Sequence, residues 1–373
     1  MDAAEFEAVR RPLAEAETLP PACYTSDAFY RLEIERIFLR KWNPVGRADY
    51  WPAPGEFAAM SLAGAEYVVL RDGEGRLRAF ANSCRHRGAK LLDGEGRCER
   101  IVCPYHGWTY GLDGALSFAN GMERARDFDP AEYGLAEIRL ECWQGFVFVN
   151  FDPGCRPLAD YLGDLGGHLG SYGLDDMVTV RREDYIVRTN WKSYVENSME
   201  SFHHATVHRN SVNDPSIRKK TVRGAPGEYV LVQSDSGGRT RALLKGAEGF
   251  PPIPTLTGAA ARGSQYLLVY PATMIGCDVD SMWFKQMLPE APDRVRNVVA
   301  ICFPRETVAR PDFETVAAHY YRRFETAIAE DNEIAERQFA GLSSALARPG
   351  RFSHREPLVH AIDNWILDQL LDG

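Results

Sequence analysis

Two short loops, Cys84-Arg-His86 and Cys103-Pro-Tyr-His106, stand sixteen residues apart, and each sets one thiol beside one imidazole. Together they offer two sulfurs and two nitrogens from tight turns, and no other feature of the sequence constrains the fold as far. Gly88 and Gly107 permit close backbone approach, and Pro104 stiffens the second turn. The surrounding sequence, from about 45 to 150, reads as short alternating strands. AEYVVLRDGEGRLRAFAN predicts a hairpin around Asp72–Gly75, GWTYGLDGALSF a second around Asp113-Gly114, and GFVFVNFD an apolar strand. This block is expected to be all-β, with the two loops at its turns.

Three readings of the four residues compete. A structural zinc site accepts two cysteines and two histidines, but zinc knuckles usually group the cysteines together and place the histidines on a helix. Chance co-occurrence is the bland reading. A mixed thiol–imidazole knuckle suits a [2Fe-2S] cluster in which one iron takes Cys84 and Cys103 and the other takes His86 and His106. Cys98, in the polar loop between them, is the weaker ligand candidate. The remaining cysteines, Cys23, Cys142, Cys155, Cys277 and Cys302, are scattered and suggest no disulfide framework.

An electron-carrying cluster needs a destination, and NWKSYVENSMESFHHATVH, residues 190–208, offers one. Read as a continuous helix, Val195, Met199 and Phe202 make an apolar stripe beside a polar one of Glu196, Glu200 and His203. A solvated acidic face is the competing reading. Helical spacing pairs His204 with His208, four apart; only a break after His203 would bring His203 and His208 together. Thr206 and Val207, both β-branched, weaken the helix there. Between residues 312 and 342 a long amphipathic helix is expected, with Phe324, Ile328, Asp331, Ala335 and Gln338 on one face. Asp331 interrupts that apolar face, whereas Glu330, Glu333 and Glu336 point elsewhere. A buried carboxylate needs a cation or a metal, and Asp331 with two histidines would form a two-histidine, one-carboxylate site for non-haem Fe(II).

The rest of the chain fits two domains in an α+β arrangement. Residues 27–44 carry helical spacing; strands return between 265 and 304. A net charge of -9 without a Lys/Arg run argues against a nucleic-acid surface. The start of the chain lacks the apolar region of a signal peptide, and no apolar run approaches the roughly 18 residues of a spanning helix. No membrane association and a cytoplasmic location are the expectation. No G-x-G-x-x-G fingerprint for a nicotinamide or flavin is found, so a reductase would be a separate protein.

With these motifs in place, the chain resembles the catalytic (α) subunit of Rieske non-haem iron oxygenases along nearly its whole length. Its two loops lack the extra cysteines of respiratory-chain Rieske proteins. The family motif Glu-x3-Asp-x2-His-x4-His is similar to Glu196, Glu200, His203 and His208 here, and a late-helix segment is similar to EDNEIAERQFAGL. The resemblance implies a Rieske domain at residues 45–155 and a catalytic domain at 156–373. The latter would carry an antiparallel sheet with covering helices (helix-grip, START-like), on which the helical segment 1–44 packs. It implies His203, His208 and Asp331 as iron ligands, O2 as co-substrate, and a separate NAD(P)H-dependent reductase with or without a ferredoxin. It further implies a head-to-tail homotrimer in which Glu200 bridges, for electron transfer, to a cluster histidine of the neighbouring subunit. Most ring-hydroxylating dioxygenases carry Asp where Glu200 stands; members acting on carnitine-like quaternary amines resemble this chain. The implied reaction is hydroxylation or dihydroxylation of a small, aromatic substrate, with mono-oxygenation or N-demethylation of a quaternary amine as the alternative. A Rieske electron carrier with a ligand-binding domain is the alternative of a different class. Tyr266, Tyr270, Met274, Trp283 and Phe303 are candidate pocket residues, as well as candidates for plain core packing.

Overall fold

Short apolar stretches broken by Gly and Asp build the unit Arg40–Cys155 almost wholly from antiparallel strands. The structure is a computed structural model that describes residues 2–214, 217–223 and 227–371. In this unit the strands are β1 (Asn43–Arg47), β2 (Glu56–Leu62), β3 (Ala65–Arg71), β4 (Leu77–Ala81) and β5 (Glu95–Arg97). They are followed by β6 (Ile101–Val102), β7 (Thr109–Tyr110), β8 (Leu116–Phe118), β9 (Glu137–Trp143) and β10 (Phe146–Asn150). One sheet runs β1-β10-β9-β4-β3-β2-β5, and a small one runs β6-β7-β8. Both expected hairpins form, β3–β4 and β7–β8. The first is closed by Asp72, whose carboxylate accepts the backbone N–H groups of Glu74 and Arg76 and the Nε–H of Arg78. Burial opposes its ionisation, but those bonds hold its pKa at about 2.

The second unit joins Met1–Leu39 to Arg156–Gly373. Its sheet runs β11 (Met177–Val187), β17 (Arg294–Pro304), β16 (Met282–Ala291), β15 (Thr273–Cys277), β14 (Gly263–Val269), β13 (Tyr229–Asp235) and β12 (Arg218–Arg223), all antiparallel. Four helices matter here: α1 (Asp27–Glu33), α2 (Trp191–Met199), α3 (Phe313–Leu342) and α4 (Pro357–Leu371). The expected α+β class is what forms. Helix α3 buries Phe324, Ala327, Ile328, Asp331 and Ala335. Gln338, placed on that face by spacing, is exposed, so the buried stripe stops one turn earlier.

Helix α1 continues in wider turns only to Phe38, and β1 begins at Asn43, so the helical segment ends short of residue 44. Asn190 caps α2 by accepting the Lys192 N–H at 3.0 Å. The N-terminal segment is tied to α2 by a buried polar network. Lys192 Nζ lies 2.6 Å from Glu33 Oε1, Trp191 Nε1 donates to Glu33 Oε2 at 2.9 Å, and Tyr24 Oη donates to Glu196 Oε1 at 2.8 Å. Glu196 therefore belongs to this network, and not to the polar stripe expected to run on towards His203.

Candidate metal centres

The two cysteine–histidine loops share one backbone frame despite their different spacing. Cys84 N–H donates to Ala89 O and Gly88 N–H to Cys84 O; Cys103 N–H donates to Trp108 O and Gly107 N–H to Cys103 O. Gly88 and Gly107 sit at φ 72° and 73°, a left-handed conformation that favours glycine. Both sulfurs are 3% exposed and unbridged. The His86 and His106 rings are 4.7 Å apart, His86 stacks on Trp108 at 4.8 Å, and Tyr105 stacks on His106 at 3.8 Å. The Nδ1 atoms of both histidines are buried and have no hydrogen-bond partner among the described residues. Buried nitrogens of this kind need a partner, and two of them beside two buried thiols fit the donor set of a His- and Cys-held [2Fe-2S] cluster. Tyr110 Oη lies 3.3 Å from Cys84 Sγ.

In the second unit, α2 ends at Met199, and Glu200 is extended at φ -115°, ψ 168°. The break therefore falls before Glu200 rather than after His203. Glu200 turns its carboxylate back to accept the N–H groups of Phe202 and His203, capping the short turn His203–Ala205, and it also bonds His203 Nδ1. This turn brings His203, His204 and His208 together, with one ring nitrogen of each within 4.8 Å of the others. Asp331 reaches the same cluster: its Oδ1 is 3.1 Å from His208 Nε2 and 3.7 Å from His203 Nε2.

Helical spacing does not describe this segment, because it is not one helix: both His203 and His204 stand beside His208. Glu330 corrects a second expectation. It does not point elsewhere: its Oε2 lies 2.7 Å from His208 Nδ1 and 2.5 Å from Ser211 Oγ. Glu200 and Glu330 each occupy the Nδ1 of one histidine and leave its Nε2 for the Asp331 side, the arrangement that orients metal-bound imidazoles. Asn197 donates to Asp331 Oδ1 at 2.9 Å, and Lys285 Nζ lies 3.7 Å from its Oδ2. Burial opposes ionisation of Asp331, but Lys285, His208 and Asn197 hold its carboxyl well below the ordinary range. Two imidazoles and an ionised carboxylate fit Fe(II) with positions left open. Asn197, Lys285 and Glu330 were not foreseen; each acts across the fold on Asp331 or His208, and only chain adjacency of Glu330 to Asp331 hinted at any of them.

The histidines and Asp331 open on a cavity of about 220 Å³. The sheet forms one wall: Tyr266 pairs with Gly276, and Gly276 with Trp283; one row on, Met274 pairs with Lys285, and Lys285 with Val299. A Cβ on Gly276 would lie 2.2 Å from the Trp283 ring, so only glycine fits beneath that indole. Helix α3 forms the opposite wall with Arg323, Phe324, Ala327, Ile328 and Asp331. Of the pocket candidates read from the sequence, Tyr266, Met274 and Trp283 line it. Tyr270 instead stacks on Trp365, and Phe303 packs against Phe250, Phe313 and Tyr320. Among the described residues, no helix is long and apolar enough to cross a membrane.

Residues 174–372 match the family described as "Ring hydroxylating alpha subunit (catalytic domain)", and residues 41–129 match "Rieske [2Fe-2S] domain". Over 198 residues the chain is 35% identical to a chloroplastic choline monooxygenase of Spinacia oleracea, covering 52% of this chain and 45% of that protein. It is 34% identical over 187 residues to the oxygenase subunit of a glycine betaine monooxygenase of Pseudomonas aeruginosa, covering 50% and 43%. The matched stretch thus spans less than half the length of these two relatives. A chloroplastic choline monooxygenase of Arabidopsis thaliana matches at 28% over 364 residues, 94% of this chain and 82% of that one. Among solved structures, a quaternary ammonium Rieske monooxygenase with L-carnitine superposes with a TM-score of 0.78 at 24% identity, covering 95% of this chain and 96% of that one. Naphthalene 1,2-dioxygenase from Rhodococcus sp. superposes with 0.77 at 18%, covering 95% of each.

Proposed function

The chain belongs to the ring-hydroxylating α-subunit family of Rieske oxygenases, and from that premise we propose that it is a terminal mono-oxygenase for a small quaternary-ammonium compound. The observation that carries the proposal is the presence of two separate metal-type donor sets in one chain. One is Cys84, Cys103 and the unpartnered Nδ1 atoms of His86 and His106; the other is His203, His208 and Asp331. When bound, the [2Fe-2S] cluster would supply single electrons, and Fe(II) at the second set would supply the open positions for reductive activation of O2. Glu200 and Glu330 accept the Nδ1 protons of His203 and His208 and so fix both rings with Nε2 facing Asp331. Lys285 and Asn197 keep Asp331 ionised. Trp283, Met274, Phe324 and Ile328 wall the cavity with apolar surface and limit water beside the reacting carbon.

The choline and glycine betaine monooxygenases among the relatives favour a quaternary amine over the aromatic ring that led in the sequence reading. The Tyr266 and Phe324 rings, with centroids 5.8 and 5.5 Å from that of Trp283, offer together with it faces on which an onium group can sit. Dioxygenation of aromatic compounds is accordingly the second choice. A separate reductase, a head-to-tail trimer with Glu200 at the link between subunits, and a cytoplasmic setting belong to this proposal.

The test is metal analysis joined to product analysis. A loaded preparation should hold about three irons per chain, two in the cluster and one at the second site. His203→Ala should lower this to about two, keep the cluster spectrum and abolish product; His204→Ala should keep all three irons. Iron confined to the cluster in the unaltered protein would leave only an electron carrier.

A further inference from the structure

The cavity is laid lengthwise between the sheet and α3, and its two ends differ. At one end stand Asp331, Lys285 and Asn197. Eight residues earlier on α3, about 12 Å along the helix axis at 1.5 Å per residue, Arg323 lines the cavity beside Phe324. The sheet repeats this order. Lys285 of β16 reaches Asp331, while Trp283, two residues back on the same face, packs edge-on against Phe324 at 5.5 Å. Arg241 lines the cavity too, its guanidinium 5.5 Å from the Tyr266 ring centre.

Four cations line this space, Arg241, Lys285, Arg323 and Arg355, against two carboxylates, Glu200 and Asp331. Glu200 is occupied by His203, and Asp331 by His208, Asn197 and Lys285. Arg323 Nε is buried without a hydrogen-bond partner among the described residues. Asp278, a buried carboxylate just beyond β15, does not supply one: its Oδ1 accepts from Arg241 N, Ser264 Oγ and Tyr266 Oη, and its Oδ2 has no hydrogen-bond partner among the described residues. Burial pulls the Arg323 pKa down; the nearby Tyr266 and Asp278 oppose this, and the charge of Arg241 adds to the pull. Two guanidinium groups facing a small cavity, neither hydrogen-bonded to a carboxylate among the described residues, form a receptor for a planar anion, which their fork geometry suits.

We infer that Arg323, with Arg241, forms a carboxylate-binding subsite, so that the substrate is a short organic acid or zwitterion held with its reacting carbon towards His203, His208 and Asp331. This rests on the oxygenase reading and narrows it. A quaternary ammonium carrying a carboxylate satisfies both the aromatic faces and the two arginines, whereas a lone cation such as choline meets four positive side chains and leaves both guanidinium groups unpaired.

The experiment is titration calorimetry on the full, iron-loaded chain, without reductase, so that no turnover is needed. The probes are glycine betaine, a four-carbon trimethylammonium acid and benzoate, each beside its methyl ester, together with choline. At least one acid should bind about 30-fold or more tightly than its ester and than choline, the scale expected when a buried charge loses its partner. Arg323→Met should remove that preference by a similar factor and leave ester binding unchanged; Arg323→Lys should restore part of it. The cluster absorption spectrum and near-ultraviolet circular dichroism report that each variant is folded. Esters binding as well as acids, no acid binding at all, or Arg323→Met with unaltered acid affinity would each overturn the subsite. Arg323-dependent acid binding without oxygenated product upholds the subsite and counts against the oxygenase reading alone. Choline oxygenated without any preference for acids does the reverse.

Discussion

Replacing Glu330 by Ala tests whether His208 presents Nε2 to a metal. In the folded chain Glu330 Oε2 is 2.7 Å from His208 Nδ1 and 2.5 Å from Ser211 Oγ, so its carboxylate fixes both the ring plane and the tautomer. Loss of such an outer carboxylate typically lowers metal affinity about 10–100-fold, or about 1.4–2.8 kcal/mol. The Glu330 side chain is 29% exposed, so water can replace part of the bond, and the lower half of that range is expected. Glu200 holds His203 from a site only 13% exposed, and Glu200→Ala should fall in the upper half. Competition with a calibrated Fe(II) chelator reads the mononuclear site directly. Cluster absorbance serves as the control, because Cys84, His86, Cys103 and His106 lie in the other unit. Equal iron affinity in Glu330→Ala and the unaltered protein would refute the assignment of His208, as would loss of cluster and mononuclear iron together.

Three further outcomes follow from the same structure. Lys192→Met leaves Glu33 buried without its cation, both side chains being 0% exposed, and chemical denaturation of the second unit should report a loss of about 3–5 kcal/mol. Burial raises the Glu196 pKa to about 7, above its value in the unfolded chain, so this group's contribution to stability is complete at low pH and falls as pH rises to about 7; melting curves of Glu196→Gln should show a shallower decline across that window. Tyr110→Phe removes the hydroxyl 3.3 Å from Cys84 Sγ, and protein-film voltammetry should find the cluster potential lowered.

The parts of this architecture legible in the sequence were those written in local periodicity. Helix α3 was expected over 312–342 and spans Phe313–Leu342, because thirty residues of helical spacing outweigh any single side chain. The paired cysteine–histidine loops were legible because four reactive side chains sit on two short turns. The end of α2 was not, because Glu200 has ordinary helical spacing with Glu196 and His203; what stops the helix is its carboxylate folding back onto Phe202 and His203. Glu196 was misplaced for a related reason: its partner Tyr24 is 172 residues away. Glu330 looked solvent-facing beside the apolar stripe, yet its side chain is long enough to reach sideways to His208. Arg323 gave no signal at all, since nothing near it in the chain shows that Trp283 and Arg241 come to meet it.

A single continuous helix supplies both Arg323 and Asp331, and this restricts how descendants of the protein can come to accept a longer or shorter molecule. One residue inserted between these positions turns everything beyond it by about 100° and swings one of the two side chains out of view. Three or four inserted residues return both to the same side and stretch the gauge by about 5 Å. Length preference along this wall therefore changes in strides of a helical turn, and finer adjustment falls to the size of the side chain at Ala327.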